Sequence, residues 1–225
     1  MPEWWTYSLS DFLLFSPRTY YRLIERHNLA VWPAQLLALA LGGAIAGLVH
    51  RPTAARSRVV AGILALLWAW VGWTFVLGRY ATINWAASYF AWLFAAEALL
   101  LGWLGAATRR VRFGRRRDAA GIVGAALFAA SVALYPVLAP ALGRGWAQSE
   151  IFGIATDPTA LGTLGLLLMA EGPSRPHQAL LAAPLVWCLL GGATLLAMGS
   201  PEAWILLPAA VLAPAVSIAG ARPAP

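Results

Sequence analysis

The chain has 225 residues, of which 60% are hydrophobic and 11% charged, and its formal net charge is +7. Soluble domains carry about a quarter charged residues, so this composition excludes an ordinary water-soluble domain. The positive charge does not indicate nucleic-acid binding, because all sixteen basic residues are arginines and their clusters lie between hydrophobic runs.

The start of the chain, residues 1–28, precedes the long hydrophobic runs and is predicted to form a separate interfacial segment. Ser16 is a typical helix cap, and Pro17 is a typical first helical residue. The helix that follows has an apolar side and a charged side, formed by Tyr20, Leu23, Ile24 and His27 and by Arg18, Arg22 and Glu25. This pattern predicts an amphipathic helix that lies on the outer leaflet of a membrane.

The long hydrophobic part, residues 29–219, is predicted to be an all-α integral membrane helical bundle, because about 20 apolar residues cross a bilayer as a helix. Six runs satisfy this requirement: 29–49, 59–78, 83–107, 119–138, 179–198 and 203–219. A seventh run, 158–170, would reach only about 20 Å, so it either spans a thinned or crowded region or enters and returns. We therefore predict six or seven transmembrane helices, followed by a tail at 220–225.

The distribution of arginine predicts the orientation. With seven spans, one side carries eleven arginines against two acids, and the other carries five arginines against six acids. Arginine-rich loops face the cytoplasm, which puts the N-terminus outside and the C-terminus inside. If run 158–170 is re-entrant, everything after it is inverted.

Tryptophans concentrate near the predicted outer interface, at Trp4, Trp5, Trp32, Trp73, Trp85, Trp146 and Trp204. Indoles prefer the headgroup level of a bilayer, so these residues are predicted to anchor the bundle. Because they lie mostly on one side, they could alternatively form an aromatic vestibule or a docking face for a protein partner.

Glycines at helical spacing are predicted to let helices approach closely. They are the pairs Gly43 and Gly47, Gly121 and Gly124, Gly162 and Gly165, and Gly191 and Gly192.

Glu97 is the first candidate site residue, because it lies near the centre of run 83–107 and no span contains an arginine or histidine to pair with it. Desolvation favours the neutral acid there. The neutral acid would donate a hydrogen bond, and matching of depth suggests Ser131 or Trp187 as its partner. Either a structural hydrogen bond between helices or a proton or cation relay fits this pattern.

The second candidate site is on the predicted outer side and contains Glu150, Asp157 and Pro158. Asp157-Pro158 is typical of a helix cap followed by the first helical residue. Alternatively, the start of a short helix buried at membrane depth lines a binding site, as in transporters with broken helices.

Other chemistry finds little support in the sequence. The three histidines are not arranged for bis-histidine haem ligation, and no metal-binding motif occurs, so we expect no metal and no cofactor. A retinal protein is excluded because the chain has no lysine for a Schiff base. No nucleophile–base pair is evident, so we do not expect an enzyme.

Two blocks of sequence resemble an uncharacterised bacterial family of polytopic membrane proteins. The first block runs from Asp11 to Leu23 and continues at Trp32-Pro33-Ala34-Gln35, and the second is Phe152-Gly153-Ile154-Ala155-Thr156-Asp157-Pro158-Thr159. That family is catalogued as a domain of unknown function and is sometimes labelled permease. The resemblance implies a bacterial inner (cytoplasmic) membrane location and supplies no catalytic residue.

These observations leave two hypotheses for function. The first is a small transporter or permease-like protein that uses Glu97 and the Asp157 segment. The second is a non-catalytic accessory or scaffold subunit that docks on a larger membrane complex through its tryptophan-rich outer face.

Overall fold

A computed structural model of the protein describes residues 13–172 and 174–220. Within these residues the chain is almost entirely helical. The helices are α1 (Pro17–Ala30), α2 (Ala34–His50), α3 (Ala54–Val71), α4 (Ala87–Leu100), α5 (Ala119–Ala129), α6 (Tyr135–Ala141), α7 (Thr156–Met169), α8 (Ser174–Ala197) and α9 (Ala203–Gly220). Three of them continue as π-helix, α3 at Gly72–Leu77, α4 at Leu101–Ala107 and α5 at Ala130–Leu134, the last of which leads into α6.

Helix α1 begins where the sequence predicts. The Ser16 side chain accepts a hydrogen bond from the backbone N–H of Thr19 at 3.2 Å, and Pro17 is the first helical residue. The predicted apolar side is buried, but it contacts protein instead of a lipid leaflet. The Tyr20 ring lies 6.2 Å from the Tyr80 ring, and His27 lies 5.2 Å from Phe75. The helix is therefore a cap on the bundle, because aromatic residues of α3 and the following turn offer it an apolar surface.

One end of the bundle, which we call the α1 end, is formed by α1 and the loops 78–86, 142–155 and 198–202. Side chains of α1 hold these loops together: the Tyr21 hydroxyl lies 2.5 Å from the Ser200 hydroxyl, and the Asn28 amide donates to the carbonyl of Ala147 at 2.8 Å. At the α1 end, hydrogen bonds from α1 thus join loops that are distant in sequence.

The opposite end, which we call the arginine end, is formed by the loops 51–53 and 108–118 and by residues 170–172. Two short strands, β1 (Arg112–Phe113) and β2 (Ala170–Glu171), pair antiparallel there, with Arg112 opposite Glu171. The Ser57 hydroxyl donates to the carbonyl of Phe113 at 3.2 Å. Since the loops alternate between the two ends, the helical segments alternate in direction in the order α2, α3, α4, α5–α6, α7, α8 and α9.

Among the residues that the structure describes, four helices are long and apolar enough to cross a membrane: Ala54–Thr82, Ala87–Ala107, Ala119–Ala141 and Arg175–Ala197. The pair α1 and α2, bent by 90°, is a fifth candidate if it counts as one span. Large apolar side chains on these helices point outwards, for example Leu66 (72% exposed) and Trp92 (76% exposed). By length and composition the structure supports four or five spans, and six or seven stays a prediction, as do the segment boundaries 1–28, 29–219 and 220–225.

Helix α7 lies at the centre, and all fourteen of its residues are buried. Its contact with α5 uses the predicted glycines, since a Cβ atom added to Gly165 would lie 2.5 Å from the carbonyl oxygen of Gly124. A Cβ atom on Gly192 would lie 2.8 Å from Leu207 of α9. The prediction for Gly43 and Gly47 is wrong within the described chain, because nothing lies within 4 Å of the Cβ position of either.

Candidate functional site

Glu97 lies on the inward face of α4 and is fully buried. Neither of its carboxylate oxygens has a hydrogen-bond partner among the described residues. An ionised carboxylate without a partner costs several kcal/mol in an apolar interior. Burial without a partner therefore favours the neutral acid, and its role in the protein stays a prediction.

The predicted hydrogen bonds from Glu97 to Ser131 or Trp187 are not formed. The Ser131 hydroxyl donates to the carbonyl of Phe128 at 2.9 Å, and it lies against Gly162 of α7. The Trp187 indole N–H donates instead to Asp157 Oδ1 at 2.8 Å. Similar depth along the bundle did not predict these partners, because both polar groups meet α7 instead: Trp187 donates to Asp157, and Ser131 lies against Gly162.

Helix α7 begins at Thr156, which corrects the predicted roles of Asp157 and Pro158. Ala155 is the capping residue and makes no side-chain cap, so Asp157 is the second helical residue and Pro158 the third. The Thr159 hydroxyl accepts from the backbone N–H of Gly153 at 2.8 Å and holds the preceding loop in place. Pro158 is tolerated because the first turn of a helix does not use its N–H groups.

Asp157 is 1% exposed and lines a cavity of about 80 Å³ at the α1 end. Its Oδ1 atom accepts hydrogen bonds from Trp187 and from the Thr156 hydroxyl (3.2 Å). Its Oδ2 atom has no partner among the described residues. Gly191 leaves room for this arrangement, since a Cβ atom there would lie 3.0 Å from Asp157 Oδ1. A buried carboxylate with one unpartnered oxygen thus belongs to the lining of an internal space.

Aromatic rings form much of the wall of this cavity, which we call the Asp157 cavity. They come from four parts of the chain and are Tyr20, Phe75, Tyr80, Phe90 and Trp187. Helix α1 thereby contributes Tyr20 to the wall of the site, although its sequence suggested only a lipid contact. Asn84 and Thr194 also line the cavity. The Asn84 amide donates to the Tyr80 hydroxyl, and the Thr194 hydroxyl donates to the carbonyl of Leu190.

A second group of charged residues lies close to the cavity. Glu150 and Glu202 are both buried, and Arg144 forms an ion pair with Glu202 and lies 3.8 Å above the Tyr21 ring. Burial raises the pKa of Glu150 well above its usual range, and the nearby carboxylates of Asp157 and Glu202 raise it further. Its surroundings therefore favour the protonated form of Glu150.

An aromatic stack separates the Asp157 cavity from the depth of Glu97. The Phe94 ring lies 5.0 Å from Trp187 and 4.5 Å from Trp68. The indole N–H of Trp68 donates to the Thr163 hydroxyl of α7 at 2.9 Å. Glu97 lies one helical turn beyond Phe94, towards the arginine end. It lies two turns beyond Phe90, which is about 10 Å along the helix axis.

Reasoning from sequence missed several cavity-lining side chains: Phe75, Tyr80, Asn84, Phe90 and Thr194. Tyr80 and Asn84 lie in the turn after α3, where sequence gives no periodic signal. Tyr20 had one usable signal, its place on the apolar side of α1. Among the described residues, no group of three or more His, Cys, Asp or Glu side chains could hold a metal ion.

Comparison with known proteins returns one family. Neither the curated proteins nor the solved structures contain a match to this chain. The model of a family of unknown function, DUF6064, matches residues 18–222, nearly the whole chain. The chain therefore belongs to the DUF6064 family, which the resemblance of its two sequence blocks had suggested.

Proposed function

We propose that this protein is a multi-pass membrane protein of the bacterial inner membrane that transports a small cation. The Asp157 cavity would be the binding site, open to the non-cytoplasmic side, and Glu97 would be a second station on the path. The observation that carries the proposal is the free Oδ2 atom of the buried Asp157 beside a cavity. Intramembrane carboxylates typically mark ion and substrate pathways.

Membrane integration is supported by the candidate spans and by the exposed tryptophans. Five indoles at the α1 end, those of Trp32, Trp73, Trp85, Trp146 and Trp204, are 65–73% exposed, as a belt at a headgroup interface requires. Trp4 and Trp5 lie outside the described residues. Protein that stays in the membrane fraction after carbonate washing would agree with integration, and release into the wash would refute it.

Movement across the bundle is supported by the irregular stretches of its helices. The π-helical stretch Gly72–Leu77 contains Phe75 of the cavity wall, and Leu101–Ala107 begins one turn after Glu97. Such stretches occur often at functional sites, because their hydrogen-bond pattern differs from that of the α-helix around them. They are places where α3 and α4 could change shape and open the aromatic stack.

A test of transport uses accessibility and needs no knowledge of the substrate. The single cysteine, Cys188, is buried and would be replaced by alanine. Thr194→Cys then places a thiol in the cavity wall, and a membrane-impermeant maleimide is added to either face of sealed vesicles. We expect Thr194→Cys to react from both faces, because a transporter exposes its site to each side in turn.

Two matched variants define the faces in this assay. Thr82→Cys at the α1 end and Ala107→Cys near the arginine end are exposed positions, and each should react from one face only. If Thr194→Cys reacts only from the face that labels Thr82→Cys, the protein binds a ligand from one side and does not transport it. Glu97→Gln should abolish two-sided labelling of Thr194→Cys without impairing folding.

A second candidate function is that of an accessory subunit of a larger membrane complex. The five exposed tryptophans at one end favour it, because indoles are enriched at protein interfaces as well as at membrane surfaces. Affinity purification from native membranes tests this function. A stoichiometric partner that is lost on Trp85→Ala or Trp204→Ala would support it, and a monodisperse lone chain would count against it.

A further inference from the structure

Among the described residues, the charges around the Asp157 cavity leave one carboxylate without a counter-charge. Arg144 and Glu202 form an ion pair, and burial together with the neighbouring carboxylates raises the pKa of Glu150, which favours its neutral form. Asp157 keeps its charge more readily, since its Oδ1 atom accepts two hydrogen bonds. With the proton on Glu150 and the charge on Asp157, these four groups carry one negative charge, which matches one monovalent cation.

The wall of the cavity is unsuited to a bare metal ion. Divalent cations such as Ca²⁺ and Mg²⁺ need about six or more oxygen ligands. Here Asp157 is the one carboxylate among the lining residues, which is too little negative charge for a divalent ion. Aromatic faces, in contrast, attract organic cations electrostatically and also contact their alkyl groups.

The size of the cavity limits the ligand. An apolar cavity of about 150 Å³ accommodates benzene, with its six heavy atoms. In proportion, the Asp157 cavity, at about 80 Å³, accommodates a ligand of about three or four heavy atoms. The free Oδ2 atom of Asp157 is an acceptor, so the ligand should carry at least one N–H donor.

We propose that the Asp157 cavity binds a small primary alkylammonium ion, whose N–H donates to Asp157 Oδ2 and whose alkyl group contacts the surrounding rings. The inference rests on the proposed function in that it takes this cavity as the substrate site. It adds the chemical class of the substrate, which is a small organic cation with a short alkyl group.

The experiment is a calorimetric titration of the purified full chain in mild detergent, in a buffer free of amines. The probes are ethylammonium chloride, its neutral counterpart ethanol, the bulkier tetramethylammonium chloride, and sodium chloride. We expect saturable binding of ethylammonium and none of the other three. Asp157→Asn should weaken ethylammonium binding about 10- to 100-fold, because a charge-assisted hydrogen bond is lost.

Asp118→Asn is the matched control, since Asp118 is an exposed acid at the arginine end and asparagine caps α5 equally well. It should bind ethylammonium like the wild type. If Asp157→Asn does not fold, Phe90→Leu keeps the carboxylate and removes one ring. It should weaken ethylammonium binding about 2- to 30-fold, the range of a cation–π contact.

Several results would overturn the alkylammonium assignment: no saturation by ethylammonium, equal binding of ethanol, sodium binding in place of ethylammonium, or unchanged affinity in both Asp157→Asn and Phe90→Leu. The transport proposal fails separately. Two-sided labelling of Thr194→Cys without ethylammonium binding would remove the ligand class alone. Ethylammonium binding with one-sided labelling would remove transport alone.

Discussion

Replacing Gly165 with alanine tests whether α7 is held at the centre by contact between backbones. The added Cβ atom would lie 2.5 Å from the carbonyl oxygen of Gly124 and 2.7 Å from the backbone nitrogen of Phe128, both on α5. Alanine is favoured over glycine inside a helix by about 1 kcal/mol, whereas overpacking costs about 1–3 kcal/mol. Because backbone atoms cannot rotate away, the upper value applies, and we expect a net loss of about 2 kcal/mol.

For a chain of this length, about 2 kcal/mol lowers the melting temperature by about 4–8 °C. The assay is thermal unfolding of purified protein in one detergent at a fixed scan rate, followed by circular dichroism. Gly43→Ala is the matched control, since nothing lies within 4 Å of its Cβ position, and its melting temperature should stay equal or rise by a few degrees. A Gly165→Ala protein that melts with or above the wild type would refute the close contact of α5 with α7.

Three further predictions concern the charged residues and the topology. Glu150→Gln should be more stable than the wild type at pH 8 and equal to it at pH 4. Because the folded state raises the pKa of Glu150, this residue favours the fold at pH values below its unfolded-state pKa, and the contribution is lost as pH rises through the folded-state pKa. Parallel melting temperatures at both pH values would refute the prediction. Arg144→Met should destabilise the fold by about 3 kcal/mol or more, since Glu202 is left buried without a counter-charge. Adding Glu202→Leu should recover most of this loss in the same thermal unfolding assay, and additive losses from the two substitutions would contradict the prediction. Reporter fusions truncated after Gly143 and after Gly172 should report opposite sides of the membrane, with Gly172 cytoplasmic, and the same side for both would exclude a crossing by α7.

The sequence was informative wherever one local rule acted without competition. The start of α1 followed from Ser16 and Pro17, since a cap and an N-terminal proline act within one turn. The pattern of apolar residues in α1 also predicted which side of the helix is buried, but it did not predict what that side contacts. An apolar helix face is satisfied equally by lipid and by aromatic side chains such as Tyr80, and the pattern of α1 alone contains no information about Tyr80.

The glycine pairs also show that a sequence pattern does not determine which helix packs against it. Gly124 and Gly165 meet each other across α5 and α7, whereas Gly43 and Gly47 face open space in the described chain. All four satisfy the same small-residue rule, because the rule describes a surface that permits close approach. Whether a second helix occupies that surface depends on the order of helices in the bundle, which the spacing does not determine.

The position of Asp157 has a physical explanation in the shortness of α7. A helix of fourteen residues extends about 21 Å and cannot reach both surfaces of an apolar layer about 30 Å thick. In the membrane that we propose, at least one of its ends lies below a surface, which agrees with the burial of residues 152–155 in the loop before α7. The polar groups of this helix tolerate the depth because the hydroxyls of Thr159 and Thr163 donate to carbonyls of the preceding turn. The same shortness that left the number of spans open thus brings the carboxylate of Asp157 inside, to the depth of Trp187.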